Sequence, residues 1–176
     1  MILSATSQFR KKGSFRPTKA TVIEMETNKI TKLVIGSDHA GYQLKQKIKA
    51  HLESRGIEVL DVGTDAPVSC NYTIFAHAVC EAVTEGKAPL GILVCGTGIG
   101  MSMAANKHAG IRAACCENTF SARMTRMHND ANVLCVGERV IGYGLACDMV
   151  DLFIDTPFEG GRHQARVDDI NALDKR

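Results

Sequence analysis

Three stretches of the sequence combine chemically capable residue types with spacings that could bring them together. The first is Ser37-Asp38-His39-Ala40-Gly41, an acid beside an imidazole at the end of an apolar run. Such a pair can bind hydroxyls and phosphate, although Asp38 could equally cap a helix beginning near Gly41. The second is Cys95-Gly96-Thr97-Gly98-Ile99-Gly100-Met101-Ser102. Three glycines in five residues let the backbone turn tightly and let a ligand approach it. A helix expected from there through Asn106 offers free N–H groups to an anion. A thiol in that field ionises more readily and can serve as nucleophile or general base. Cys95 could also be one more buried structural cysteine. The third is His128, within Arg123-Met124-Thr125-Arg126-Met127-His128-Asn129-Asp130, joined by Arg139, Arg162 and Arg166 further on. Histidine exchanges protons near neutral pH, but a single surface histidine more often has no chemical role. Arg162 and Arg166 are four apart, so a helix would project both guanidinium forks from one face, suiting a dianionic phosphate. A solvated basic face reads the same way.

These residues need a scaffold, and the apolar pattern supplies one. Five short runs, 32-KLVIGS, 57-IEVLDVG, 90-LGILVCG, 111-IRAACC and 133-VLCVG, are nearly continuously apolar and end in small or turn-forming residues. That pattern fits strands buried on both faces. Between them lie helical stripes: Leu44, Ile48 and Leu52; Phe75, Val79, Ala82 and Val83; Leu145, Met149, Leu152 and Phe153. The alternation predicts an α/β fold, Rossmann-like and doubly wound, with a five-stranded parallel sheet and helices on both faces. Ligands of such sheets bind at the carboxyl ends of the strands, near the point where strand order reverses.

Composition removes several function classes. Of 176 residues, 45% are hydrophobic and 23% charged, an ordinary globular balance. A net charge of +2 is too small for a protein built to grip nucleic acid. Residues 1–23 carry five basic and no acidic residues, leaving −3 for the rest. Residues 1–30 therefore read as a basic, disordered extension and 31–176 as one domain. Such an extension could also be an organelle-targeting segment. The seven cysteines are odd in number and lack C-x-x-C spacing, which points to a reducing, cytoplasmic setting rather than a disulfide framework or zinc site. No apolar run reaches the length of a membrane span. His51, His77 and His108 have no evident partners in the sequence, and no His/Asp/Glu cluster has metal-ligand spacing, so no metal is expected. The glycine loop reads G-x-G-x-G, with Met101 where a dinucleotide fingerprint has its third glycine, although Glu117 stands about where a ribose-binding acid would.

Taken in order, six segments resemble the type B ribose-5-phosphate isomerase family, within the group that includes galactose-6-phosphate isomerase subunits. They are 36-GSDHAG, 95-CGTGIG, 104-AANK with 110-GIRA, 128-HNDANVL, 137-GERV and 159-EGGRH. The resemblance spans about Lys32 to the C-terminus. It implies interconversion of D-ribose 5-phosphate and D-ribulose 5-phosphate through an enediolate, in the non-oxidative pentose phosphate pathway, without metal or cofactor. It makes Cys95 the base that moves a proton between C2 and C1. Some family members instead use a carboxylate from the segment around Tyr72. Thr97 and the N–H groups of Gly96, Gly98, Ile99 and Gly100 would stabilise the oxyanion, and His128 would open the sugar ring. Asp38 and Asn129 would hold hydroxyls, Tyr72 would line the pocket, and His39, Arg139, Arg162 and Arg166 would bind phosphate. A homodimer or homotetramer with sites at the subunit interface is also implied. Asn71-Tyr72-Thr73 replaces the usual Asp-Tyr-Pro, keeping only the tyrosine. A six-carbon substrate (allose or galactose 6-phosphate), a nucleotide-binding module and a non-catalytic sugar-phosphate sensor are the alternatives.

Overall fold

The structure is a computed structural model and describes residues 29–175. Five parallel strands, β1 (Lys32–Ser37), β2 (Glu58–Asp61), β3 (Gly91–Cys95), β4 (Ala113–Cys115) and β5 (Val133–Gly137), form one sheet in the order β2-β1-β3-β5-β4. Each lies within one of the apolar runs. Six α-helices accompany them: α1 (Tyr42–Ser54), α2 (Tyr72–Thr84), α3 (Ile99–Ala105), α4 (Thr119–Asn129), α5 (Tyr143–Asp155) and α6 (Gln164–Ala172). The extension expected over residues 1–30 lies outside the described residues except for Lys29 and Ile30, and Ile30 already packs on the core.

Alternation along the central strands divides the core in two. Leu33, Ile35, Ile92, Val94, Leu134 and Val136 face α1, α4 and α5. Val34, Leu93, Cys95, Val133 and Cys135 face α2 and α3. Side chains of successive strand residues point to opposite faces, and both faces are covered, so the central strands carry no polar alternation. The predicted stripe of α1 is buried at Leu44, Ile48 and Leu52. In α5 the buried stripe is Ala146, Met149, Val150 and Phe153, which leaves Leu145 37% exposed at its rim. Strand order reverses between β1 and β3, opening a crevice beyond their carboxyl ends.

One feature of α1 departs from its amphipathic pattern. Lys45 is buried, with its side chain 1% exposed. Its Nζ donates to both Asp61 oxygens, at 2.8 and 2.9 Å, and to the Thr64 carbonyl at 2.7 Å. Three donors thus meet three acceptors, anchoring the loop that leaves β2 and runs toward α2. His51, His77 and His108 also have partners, contrary to the sequence reading. His51 Nε2 lies 2.8 Å from Asp151 Oδ1, and His77 Nδ1 lies 2.8 Å from His108 Nε2. Both contacts cross between elements distant in sequence.

Candidate active site

The crevice between β1 and β3 gathers the first two chemical stretches. Asp38 follows β1 and is 5% exposed. Its Oδ1 accepts from the N–H groups of Ala40 and Gly41, at 3.0 and 3.1 Å, capping the short 3-10 turn His39–Gly41 that leads into α1. The cap occupies one oxygen; Oδ2 stands 3.9 Å from His39 Nδ1. His39 Nδ1 accepts from the Cys70 N–H at 3.2 Å. That hydrogen bond assigns the neutral ring's proton to Nε2, leaving Nε2–H as a donor.

Cys95 ends β3 and is 6% exposed, on the α2/α3 face. The Gly98 N–H donates to its Sγ at 3.1 Å. Gly98 must be glycine to make that bond. Its φ is +80°, and a β-carbon would stand 3.0 Å from Cys115 Sγ and 3.1 Å from the Val136 carbonyl carbon. Thr97 is exposed beside it, its Oγ1 accepting from the Ile99 N–H at 3.4 Å. The exit of β5 is tied to the same loop: Glu138 N–H donates to the Cys95 carbonyl at 2.9 Å and Arg139 N–H to the Gly96 carbonyl at 3.1 Å. The Arg139 guanidinium lies over Gly96, with Nη1 3.6 Å from where a β-carbon would be.

Tyr72 is the first residue of α2. Asn71 caps that helix, accepting from the Thr73 N–H at 3.1 Å and the Thr73 hydroxyl at 2.8 Å. The Tyr72 ring rests against Gly100, its Cζ 3.0 Å from the β-carbon position. The Asn71-Tyr72-Thr73 sequence thus carries the tyrosine to the glycine loop through an ordinary asparagine cap.

Other thiols differ from Cys95 in their surroundings. Burial pushes Cys80 up to about 12, raises Cys116, and raises Cys135 well above the usual thiol range. Those sulfurs stay protonated at neutral pH and pack as small apolar groups. Cys115 is exposed and also raised, mainly by burial of its sulfur and then by neighbouring thiols and Glu117.

His128, Asn129, Arg162 and Arg166 stand elsewhere. His128 and Asn129 close α4 on the opposite face from Cys95, just before β5 begins. Glu159 N–H donates to the Met127 carbonyl at 3.0 Å, fixing the next segment beside that helix end. The chain then turns through Gly160 (φ 62°, ψ −135°) and Gly161 (φ 55°), backbone conformations that L side chains rarely adopt. Arg162 falls in a 3-10 turn, Gly161–His163, with α6 starting only at Gln164. Arg166 Nη1 donates to the Arg162 carbonyl at 3.2 Å. This second group lies at the amino end of the sheet and the Cys95 group at the carboxyl end. A five-residue strand, about 15 Å long, and a change of face separate them. Among the described residues no hydrogen bond or ion pair joins the two groups.

Glu159 and His163 appear in the sequence within a motif but without an assigned role; only the fold brings them to His128. One ring nitrogen each of His128 and His163 and one Glu159 carboxylate oxygen all lie within 4.8 Å of one another. The two imidazoles are stacked, with centroids 4.2 Å apart and planes 10° from parallel. In-plane lone pairs of stacked rings do not converge, so this arrangement does not fit a shared metal ion, whose bonds to imidazole nitrogen run about 2.0–2.1 Å in the ring plane. Cys70 carried no sequence signal, and Glu138 stood in a quoted segment without a role, since each acts on a residue far along the chain.

Comparison with known proteins agrees with this architecture. A family profile described as Ribose/Galactose Isomerase matches residues 33–170, and the chain belongs to that family. The chain is 49% identical over 145 residues to ribose-5-phosphate isomerase B of Escherichia coli, covering 82% of this chain and 97% of that protein. It superposes on the Clostridium thermocellum ribose-5-phosphate isomerase B with a TM-score of 0.81 at 52% identity, over 82% of this chain and 97% of the other. The type B ribose 5-phosphate isomerase of Trypanosoma brucei gives 0.79 at 40% identity, over 82% and 99%. No helix among the described residues is long and apolar enough to cross a membrane.

Proposed function

We propose that the protein interconverts D-ribose 5-phosphate and D-ribulose 5-phosphate, with Cys95 as the proton-transferring base. The observation that carries this reading is the Cys95 sulfur, held at the exit of β3 with the Gly98 N–H directed at it, next to the exit of β1 that carries Asp38. An N–H donor on the sulfur stabilises its negative charge. The thiolate takes the C2 proton of the open-chain aldose, and the electron pair forms the C1=C2 bond of the enediolate, leaving charge on O1. Thr97 and the N–H groups of the glycine loop stabilise that oxyanion. The sulfur returns the proton to C1 while the hydroxyl proton moves from O2 to O1, giving the ketose. Asp38, Asn129 and Tyr72 hold the sugar, and His39 and Arg139 donate to the phosphate.

His128, Asn129, Arg162 and Arg166 enter this site from a second copy of the chain. The diagonal placement of the two groups supports such an assembly, as does an apolar surface around the glycine loop. Ile74, Ile99, Met103 and Phe120 are 57%, 48%, 65% and 73% exposed, an arrangement typical of a covered face. A homodimer buries that surface; pairing of dimers into a tetramer is compatible with it. Free cysteines throughout suit a reducing cytoplasm.

Proton exchange from deuterated water into ribose 5-phosphate, ribulose 5-phosphate and six-carbon aldose phosphates tests the reaction directly. The five-carbon pair should exchange fastest; exchange confined to allose or galactose 6-phosphate would move the assignment to a six-carbon isomerase, and no exchange would end it. Arg166→Ala should raise KM for ribose 5-phosphate by roughly 10–100-fold, the loss of a charge-assisted hydrogen bond of about 1.5–3 kcal/mol, with a smaller effect on kcat. Unchanged steady-state kinetics would return Arg166 to the solvated surface.

A further inference from the structure

We infer that His163 and Glu159 position the His128 imidazole for opening of the sugar ring, His163 as a buried flat platform and Glu159 as counter-charge to the imidazolium. The inference rests on the reading in which His128 opens the ring. Ribose 5-phosphate is a furanose before it can be isomerised. Opening it requires the C1–O4 bond to break as the C1 carbonyl forms. Ring oxygen O4 takes a proton from the imidazolium, and the anomeric hydroxyl gives its proton to water. A donor that must meet O4 needs both a fixed ring plane and a carboxylate near the charge it carries as an acid.

Both are built around His128. His163 is 7% exposed and lies face to face with the His128 ring at 4.2 Å. The Arg162 Nε–H donates to His163 Nε2 at 3.3 Å, which puts the proton of the neutral His163 ring on Nδ1. Burial, with the charges of His128 and Arg162, lowers His163 further from protonation. The platform is therefore uncharged, and a neutral ring can stack on an imidazolium without repelling it. Glu159 Oε2 sits at the nitrogen edge of the pair, 3.5 Å from His163 Nε2 and 3.9 Å from His128 Nε2. With His163 Nε2 already an acceptor, the carboxylate charge is left to His128 and Arg162. The Glu159 backbone bond to Met127, one residue before His128, holds this geometry in register. Glu159, Arg162 and Arg166 are the charged groups around the stacked pair, and Arg112, Arg126 and Asp130 lie at the end of α4 beside it.

The ketose separates ring opening from proton transfer. Ribulose 5-phosphate has no furanose form, because its C5 oxygen carries the phosphate. Four variants, His128→Ala, His163→Ala, His163→Phe and Glu159→Gln, would be compared in two assays on the intact oligomer: turnover of ribose 5-phosphate, and deuterium exchange from solvent into ribulose 5-phosphate. His163→Ala and Glu159→Gln should lose about 10–100-fold in aldose turnover while ketose exchange stays within about twofold. His163→Phe, which keeps a flat ring, should retain most aldose turnover. Equal losses in both assays, or no loss of aldose turnover, would overturn the positioning role. A His163→Phe loss as deep as that of His163→Ala would overturn the platform. If His128→Ala itself shows no split between the assays, the ring-opening reading fails and the inference with it. A split in His128→Ala alone would reject the inference and leave that reading standing. Glu159 is nearly half exposed, so Glu159→Gln keeps the test informative even if His163→Ala fails to fold.

Discussion

Replacing Cys95 with alanine should lower turnover by about 10²–10⁴-fold, the usual contribution of a positioned general base, while leaving sugar-phosphate affinity within a few-fold. The asymmetry follows from where the groups lie. The sulfur would act on carbon-bound hydrogen only as the reaction proceeds, so its contribution falls in the transition state. The groups assigned to the phosphate, His39 and Arg139, are separate side chains on other strand exits. A methyl group in place of the thiol leaves a small void in a position only 6% exposed, with no charge to bury. Calorimetric titration of the variant with ribulose 5-phosphate would give the affinity, and coupled turnover the rate. Near-normal turnover would require another base, and the loop before Tyr72 is the first place to look. Weak binding together with lost turnover would show instead that the glycine loop depends on the sulfur for its shape, through the Gly98 N–H.

Asp61→Ala should destabilise the fold by about 3–5 kcal/mol, the typical result of leaving a buried charge without its partner. Lys45 would retain only the Thr64 carbonyl for three N–H donors, at a position 1% open to solvent. The Gly63 N–H would also lose its acceptor, since it donates to Asp61 Oδ1 at 3.0 Å. Adding Lys45→Met should recover most of the loss, because no charge then remains to be desolvated. Denaturant midpoints at one fixed protein concentration, so that assembly does not confound them, would measure both. A deficit under about 1 kcal/mol for Asp61→Ala would mean that water reaches Lys45 or that the loop relaxes to supply another acceptor.

Strands and helices were legible because burial acts on local sequence. Residues 32–37, 91–95 and 133–137 read as strands because both faces of the sheet are covered, which writes a continuous apolar run. The α1 stripe was readable for the same reason. Lys45 was not, because its burial depends on an acid from β2 and a carbonyl from the following loop, neither of which leaves a trace in the helix. Insertion of β5 between β3 and β4 was likewise invisible, since it is a pairing choice among similar runs. In the candidate site, Cys95, Gly98 and Asp38 were legible as strand-exit residues. His163 and Glu159 were not, because the stack and the carboxylate arise only when the loop after α5 folds back onto the end of α4. The bare sequence also did not reveal that Cys95 and His128 occupy opposite ends and opposite faces of one sheet.

That diagonal has a consequence for how the protein would work in a cell. On the proposed reading, a solitary protomer would own two incomplete halves and no whole catalytic centre. Output per polypeptide would then be governed by how many molecules have found a mate, and a lesion in the contact surface would silence the chemistry while leaving every reacting atom untouched.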